Sequence, residues 1–398
     1  MRNRRNQWAA VFILHLALSA LGASQEQNTT VPVIPRTIHA PQIFAKAGLL
    51  RDEMSRIGLT FQGLYVNDWT FGSDGNEQDR WFGRYSFDFF LNVDGEKLVG
   101  WRGASASLRL KQHLPQFGDE NSYSRVSQLY SNIDGNSRTS IYELWLQQTT
   151  LSNKLRVKVG KVDASSEFAT VAIAADFLNA SMGFSPTVMY FPTYPEPKPG
   201  IMSFVYPNDR YFVGAGVFRT NGDGTLSIAE GGVNWIAGHN ERSGKATLGF
   251  WHLQQELACF DGDTAHRTHG FYSVLQQSLW RQTPSAPFHT REVSAFLQFG
   301  TGDGDMNPFT KHFGGGLVLN QPFSAHDAIG IGTTWVDFTH QPSAAFDSET
   351  ELVIEAYYKV QIHRNVTLEP DFQFFHNPGG IQPHSNLLAL TPRLILSF

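Results

Sequence analysis

The chain has 398 residues, 41% of them hydrophobic and only 17% charged, with 36 Gly and 31 Phe. A formal charge of -5 disfavours nucleic acid or an anionic surface as partner. A single cysteine, Cys259, excludes an intramolecular disulfide and any CxxC metal site.

The chain opens with "MRNRR", then the apolar run "WAAVFILHLALSALGA", then polar "SQEQ". This pattern predicts a signal peptide over residues 1–23. Its removal takes three arginines and leaves the mature chain near -8, from -5 less three positive charges. Residues 24–57 are expected to form an N-terminal periplasmic segment. In it Ile43, Ala47, Leu50 and Met54 fall near one stripe, which predicts a short amphipathic helix that Gly58 can stop. No later run reaches the roughly 18 apolar residues of a membrane helix.

From Gly58 the hydrophobic period is two. In "RYSFDFFLNV", Tyr85, Phe87, Phe89, Leu91 and Val93 alternate with Arg84, Ser86, Asp88 and Asn92. In "GASASLRLK", Ala104, Ala106, Leu108 and Leu110 alternate with Ser105, Ser107, Arg109 and Lys111. "ELVIEAYYKVQI" sets Leu352, Ile354, Ala356, Tyr358 and Val360 against Glu351, Glu355, Lys359 and Gln361. Mid-strand charges suit neither a dry sandwich core nor a lipid face, but a wet lumen accepts them. Aromatic residues near strand ends suit the two interfaces of a bilayer.

Sixteen strands are predicted: 58–69, 81–93, 100–112, 139–150, 154–162, 201–207, 210–219, 225–236, 244–257, 267–280, 288–300, 311–321, 327–338, 349–363, 366–376 and 386–398. An even count returns both ends to one side. The fold class is thus all-β: a transmembrane antiparallel β-barrel of 16 strands over residues 58–398, with a short N-terminal periplasmic helix. Parity places the long segments 113–138 and 163–200 together on the outer side. The second has Phe168, Phe177, Phe184 and Tyr190 to bury and a stiff tail, "TYPEPKPG". It either folds inward to narrow the channel or caps the mouth.

The last segment sets Leu388, Leu390, Leu394, Leu396 and Phe398 on one face, with Thr391, Arg393 and Ser397 on the other. A strand that runs to the final residue needs a neighbour, and 58–69 is the partner that closes the edge.

In "VGKVDASSEFA" (159–169), "DFLNASMGFSP" (176–186), "LEPDFQFFHNPGG" (368–380) and "ETELVIEAYYKVQI", the chain resembles the carbohydrate-selective outer-membrane porins of the OprB family. The likeness runs from about Ala47 to Phe398, and 219–345 is its least distinctive part. The resemblance implies a bacterial outer-membrane channel for facilitated diffusion of glucose and related monosaccharides. It also implies that Phe398 is the end recognised by the barrel-insertion machinery.

A neutral sugar needs many weak hydrogen bonds and flat ring surfaces to pass, since tight binding would stall release. Alternation nominates Arg84, Asp88, Arg109, Lys111, Arg156, Lys158, Glu355 and Lys359 as lumen residues. Glu143 is expected inward, between outward Tyr142, Leu144 and Leu146, with Trp145 on its face to stack on a ring. Asp163 and Glu167 open the long loop and either shape the constriction or anchor the loop. Asp371, with Gln373, is expected inward between Phe372 and Phe374. Each is either a sugar contact or ordinary wall held by cross-strand ion pairs.

No cofactor is expected, and no GxSxG, HExxH or P-loop occurs. "NGDG" (221–224) and "TGDGDMNP" (301–308) lack the ordered acidic spacing of a calcium loop. His266 and His269 in "AHRTH" lack a third ligand nearby. Outer-membrane lipids are the surrounding partner. The sequence leaves homo-oligomer or monomer open, because lipid and a partner barrel ask for similar side chains. Two other readings remain: a general or ion-selective porin, and a secreted β-rich carbohydrate-active protein.

Overall fold

The computed structural model describes residues 51–73, 80–118, 126–135, 137–220, 222–238, 241–282, 290–381 and 386–398. The expected signal peptide, residues 1–23, and most of the expected helical segment, with Ile43, Ala47 and Leu50, lie outside the described residues. Residues 51–56 are helical and lead through Gly58 into the first strand.

The strands are β1 (Leu59–Ser73), β2 (Arg80–Asp94), β3 (Ala104–Gly118), β4 (Arg138–Thr150), β5 (Leu155–Val162), β6 (Lys198–Val205), β7 (Tyr211–Arg219), β8 (Thr225–Ala237), β9 (Arg242–Ala258), β10 (Thr264–Arg281), β11 (Glu292–Thr301), β12 (Phe309–Asn320), β13 (Ala328–Phe338), β14 (Thr350–His363), β15 (Val366–His376) and β16 (Leu387–Ser397). Each pairs with its sequence neighbours, and β1 pairs with β16, so the sheet is a closed barrel of sixteen strands. Closure satisfies every edge, which a chain needs in order to cross hydrocarbon without helices.

The closing seam explains the C-terminus. Leu64 lies opposite Ser397, and Tyr65 opposite Leu396. Phe398 and Gly63 then exchange two backbone hydrogen bonds, 2.7 and 3.0 Å. The Phe398 ring covers the place a side chain at residue 63 would occupy, with ring atoms 2.1 Å from an added Cβ. It stacks on Phe87 at 5.9 Å. Only glycine fits under that ring.

The outer wall is apolar. Leu297 and Val213 are each 60% accessible and Leu248 is 58%, and such side chains recur on nearly every strand. A continuous apolar belt of this extent marks a lipid-facing surface. Phe71, Trp81 and Phe313 stand at its outer margin, and Trp101, Tyr211, Trp280 and Phe323 at its periplasmic one. Periplasmic connections are short; Gly95–Val99 makes a single helical turn there, capped by Asp94.

Two outer segments enter the barrel. The segment expected over 163–200 folds inward up to residue 197 rather than capping the mouth: Phe168, Leu178, Met182 and Val188 are fully buried. Residues 126–135 also return inside, burying Tyr130 and Ile133. The alternation gave no sign of this second entry. The segments bind each other through Asn132 N to Leu178 O (2.7 Å) and Ala180 N to Leu129 O (3.3 Å).

Candidate functional site: the lumen

The interior has two unlike walls. On β6–β13 the inner face is mostly apolar or glycine. Phe204, Phe218, Leu226, Ile228, Trp251 and Tyr272 pack there against Phe168, Val188 and Phe191 of the long inward segment. Further round, Val274, Phe296, Val318 and Tyr357 enclose Phe177 and Met182. Inner glycines make the room. A Cβ on Gly216 would lie 3.0 Å from the Phe168 ring and 2.8 Å from Phe218. Burying such side chains contributes about 2–3 kcal/mol each, which is what draws the segment inward. Polar pins fix its height. Glu230 accepts from Ala169 N and Tyr272 Oη, both 2.9 Å, and Gln298 Nε2 donates to Ser181 O and Met182 O at 2.8 and 2.7 Å.

The other wall, β14–β16 with β1–β5, is charged. Arg109 Nε donates to Asp88 Oδ1 at 2.7 Å, and its other end lies 3.5 Å from Glu143. Lys111 shares Asp88 at 3.1 Å. The Arg109 guanidinium lies between the rings of Phe90 (4.7 Å) and Tyr142 (4.6 Å). Tyr142 is thus inside, a correction to the alternation. A register shift between Arg109 and Leu110 inserts a residue on β4, so Tyr142 and Glu143 both face the lumen, between exposed Ile141 and Leu144.

Glu167 binds Arg156 at 2.7 Å and also Lys158, whose Nζ sits 4.0 Å from the centre of the Trp145 ring. Asp163 caps the first turn of the inward segment, accepting from Ser165 N (3.0 Å), Thr193 Oγ1 (2.7 Å) and the Tyr142 hydroxyl. Lys359 holds Asp176 at 2.6 Å.

Strand β14 holds both inward segments. Glu355 accepts from Leu178 N (2.5 Å) and Asn179 N (3.2 Å). Four residues further out, beyond inward Val353, Glu351 accepts from Ser127 N (3.0 Å), Gln128 N (2.7 Å) and Gly379 N (2.5 Å). Asp371 and Gln373 complete the layer: Gln373 Nε2 donates to Asp371 Oδ1 and to Tyr130 O, both 2.8 Å. Arg84 pairs with Asp134 at 2.5 Å, and Arg393 with Asp68 at 2.7 Å. Such buried charges cost desolvation, which their multiple partners offset while fixing one geometry.

Accessibility divides the nominated residues. Arg84, Asp88, Glu355 and Asp371 are 0–2% exposed, sealed between wall and inward segments. Lys111, Glu143, Lys158 and Asp163 are also buried. Open to the lumen are Arg109 and Arg156, each 21%, and Lys359 with Asp176, 29% and 31%. Trp145 is half-buried. Asp68, Glu230, Glu351 and Arg393 were not nominated, yet they hold the inward segments or their neighbours. Glu351 and Arg393 stood in quoted alternating runs; Glu230, within "SIAEGGV", stands among apolar and small residues and carried no such signal.

A closed sixteen-stranded membrane barrel with a polar lumen narrowed by inward segments is a porin. The family comparison is specific. The model of the carbohydrate-selective porin, OprB family, matches residues 83–263 and 260–398, and the chain belongs to that family. Porin B of Pseudomonas aeruginosa is 23% identical, with 94% of each chain covered. The high-pH structure of Pseudomonas putida OprB superposes with a TM-score of 0.77 at 20% identity, covering 88% of this chain and 97% of that one. An anion-selective porin from Comamonas acidovorans shares the barrel more distantly, with a TM-score of 0.51, 14% identity and coverage of 85% and 99%. The protein is an outer-membrane channel for facilitated diffusion of sugars.

Proposed function

We propose that the solutes are monosaccharides such as glucose, and that they pass along the charged wall. Arg109, Arg156 and Lys359 offer hydrogen bonds to ring hydroxyls, and Trp145 and Phe90 offer flat surfaces to the apolar face of a pyranose. Asp163 and Glu167 set the height of the inward segment. Arg84, Asp88, Lys111, Glu143, Lys158, Glu355 and Asp371 hold the wall and the segments. The observation that carries this reading is the partial exposure of Arg109, Arg156, Lys359 and Trp145 beside charges that are mostly sealed. Several partly satisfied donors beside aromatic faces give weak, repeated contacts, which transport requires.

Liposome swelling with a graded series of sugars tests it. Glucose and its epimers enter fast and disaccharides slowly; equal rates for all would contradict the reading. An ion-selective porin is the second reading, favoured by one feature: accessible Arg109, Arg156 and Lys359 outnumber accessible Asp176. Reversal potentials in a salt gradient, with and without glucose block, separate the two.

The same proposal places residues 1–23 as the cleaved signal peptide and 24–57 in the periplasm. Phe398, seated at the seam, is offered to the insertion machinery before the barrel closes. A homo-oligomer would form through part of the outer wall, and light scattering on the detergent-solubilised protein would measure it.

A further inference from the structure

One cation of the lumen stands on the apolar wall. Lys245 lies near the periplasmic start of β9, is half-buried, and holds its Nζ 5.0 Å from the centre of the Phe212 ring. The register sets it between Asn234 of β8 and Gln276 of β10. Gln276 accepts from Ile173 N at 3.0 Å, so Lys245 lies at the edge of the inward segment. Arg156 is seated in the same manner, with its guanidinium 4.6 Å from the centre of the Phe204 ring. The two rings are 6.3 Å apart, and Tyr206 stands 6.4 and 6.3 Å from them. Each ring covers a glycine of the next strand: a Cβ on Gly214 or Gly232 would lie 2.3 Å from Phe204 or Phe212. Both rings are buried, so they stay dry and the cations above them are what solute meets.

The charge on Lys245 is unspent. Among the described residues it makes no ion pair or hydrogen bond. Glu230, further out on β8, is buried and accepts from Ala169 N and Tyr272 Oη. Glu167 is shared by Arg156 and Lys158. This corner therefore sets three cations, Arg156, Lys158 and Lys245, against two acids, Glu167 and Glu230. The adjoining periplasmic turns add exposed Lys154 and Arg210 against Asp209. Further round the mouth, Arg281 and Glu292 balance each other at 3.9 Å. Two residues along the same face of β9, the buried Thr247 hydroxyl has no hydrogen-bond partner.

We propose that this corner is an exit-side subsite for acidic monosaccharides, the uronates and aldonates. Lys245 takes the carboxylate, and Arg156, Asn234 and Thr247 offer hydrogen bonds to the hydroxyls. The subsite rests on the lumen being a monosaccharide path and adds a class of solute to it. An aromatic ring holds an ammonium in place without neutralising it, which leaves the charge for an anion. A single lysine is a point charge rather than a bidentate clamp, so the contact stays weak enough for release.

The test is block of single-channel current through the full chain by three solutes with the same ring: glucose, glucuronate and the neutral methyl ester of glucuronate. Glucuronate is expected to block at a lower concentration than its ester. Lys245→Gln should shrink that difference about tenfold, the equivalent of one charge-assisted hydrogen bond. Lys245→Arg should retain it, and Lys97→Gln, an exposed cation of the periplasmic rim, should leave it as in wild type. The comparison of acid with ester in wild type needs no variant to fold. Equal block by the two in wild type, or an undiminished difference in Lys245→Gln, would overturn the proposal. Block by glucuronate that depends on Lys245, without any block by glucose, would overturn the neutral-sugar reading and leave this subsite standing.

Discussion

The inner faces of β6–β13 and of β14–β5 are built from the same alternating strands, yet they solve opposite problems. The first is covered by residues 163–197, so its inward positions are mostly apolar or glycine and packing decides them, with Glu230 and Gln298 as polar pins. The second carries the clusters of Arg, Lys, Asp and Glu, whose identity their hydrogen-bond partners decide, beside an apolar patch of Phe82, Val353, Phe375 and Leu387 around Tyr130. A barrel lumen is therefore not uniformly wet. Its polarity reports what lies against it.

The contrast can be broken from the apolar side with the largest effect. Phe168→Ala empties a site enclosed by Phe204, Phe218 and Gly216. It should cost about 3–5 kcal/mol, as for other buried aromatic truncations. The heat-modifiable transition on a gel should move to lower temperature, and open-channel current noise should rise as the segment loosens.

The next largest effect comes from the staple between the walls. Glu355→Ala leaves the Leu178 and Asn179 amides without acceptors in a sealed site, a cost of about 1–3 kcal/mol. Single-channel conductance should increase and disaccharides should begin to enter liposomes. Unchanged conductance would mean that packing alone fixes the segment.

A smaller effect sharpens the solute side. Arg109→Gln removes one partly exposed donor and leaves Asp88 still paired with Lys111. The glucose concentration for half-maximal block should rise about fivefold, the equivalent of one hydrogen bond near 1 kcal/mol. A matching change at Val274→Ala, on the covered wall, should leave that concentration unaltered.

The smallest effect is a pH dependence at the outer rim. Hydrogen bonds from Arg138 and Lys198 pull the Glu196 carboxyl from 4.5 down to about 2. A lowered acid stabilises the fold above its unfolded value and loses that contribution as pH falls through the folded one. The tie between the end of the inward segment and β4 should thus weaken between about pH 4.5 and 2. The pair is partly exposed, so the loss stays below about 1 kcal/mol. Protease nicking near Pro195, compared between pH 6 and pH 3 in wild type and Glu196→Gln, reads it: only wild type should change.

The barrel itself was legible. Period-two runs placed β2, β3 and β14 with the correct face inward, because a one-residue slip would turn every charge to lipid. The terminal strand and its closing partner followed from the same rule. Boundaries moved where turns decide them: β6 starts at Lys198 rather than 201, since the Pro-rich tail already pairs with β5. Tyr142 was misplaced because a bulge breaks alternation without changing composition. Alternation pointed to charges such as Arg109 and Asp88 but missed Asp68 and Glu230, and sequence could not divide exposed Arg109 from sealed Asp88. That division depends on residues 126–135 and 163–200 entering the barrel, and nothing local to a strand records what packs against it.

The central claim is that solute runs along β14–β5 while β6–β13 is dry. In a Cys259→Ser background, single cysteines at Asn92 or Gln147 on the charged wall, and at Leu226 or Val274 on the covered wall, can be treated with a charged water-soluble thiol reagent during current recording. The account predicts rapid block for Asn92→Cys and Gln147→Cys, slowed by glucose, and no reaction for Leu226→Cys and Val274→Cys. Fast modification of the covered wall with a silent charged wall would contradict it.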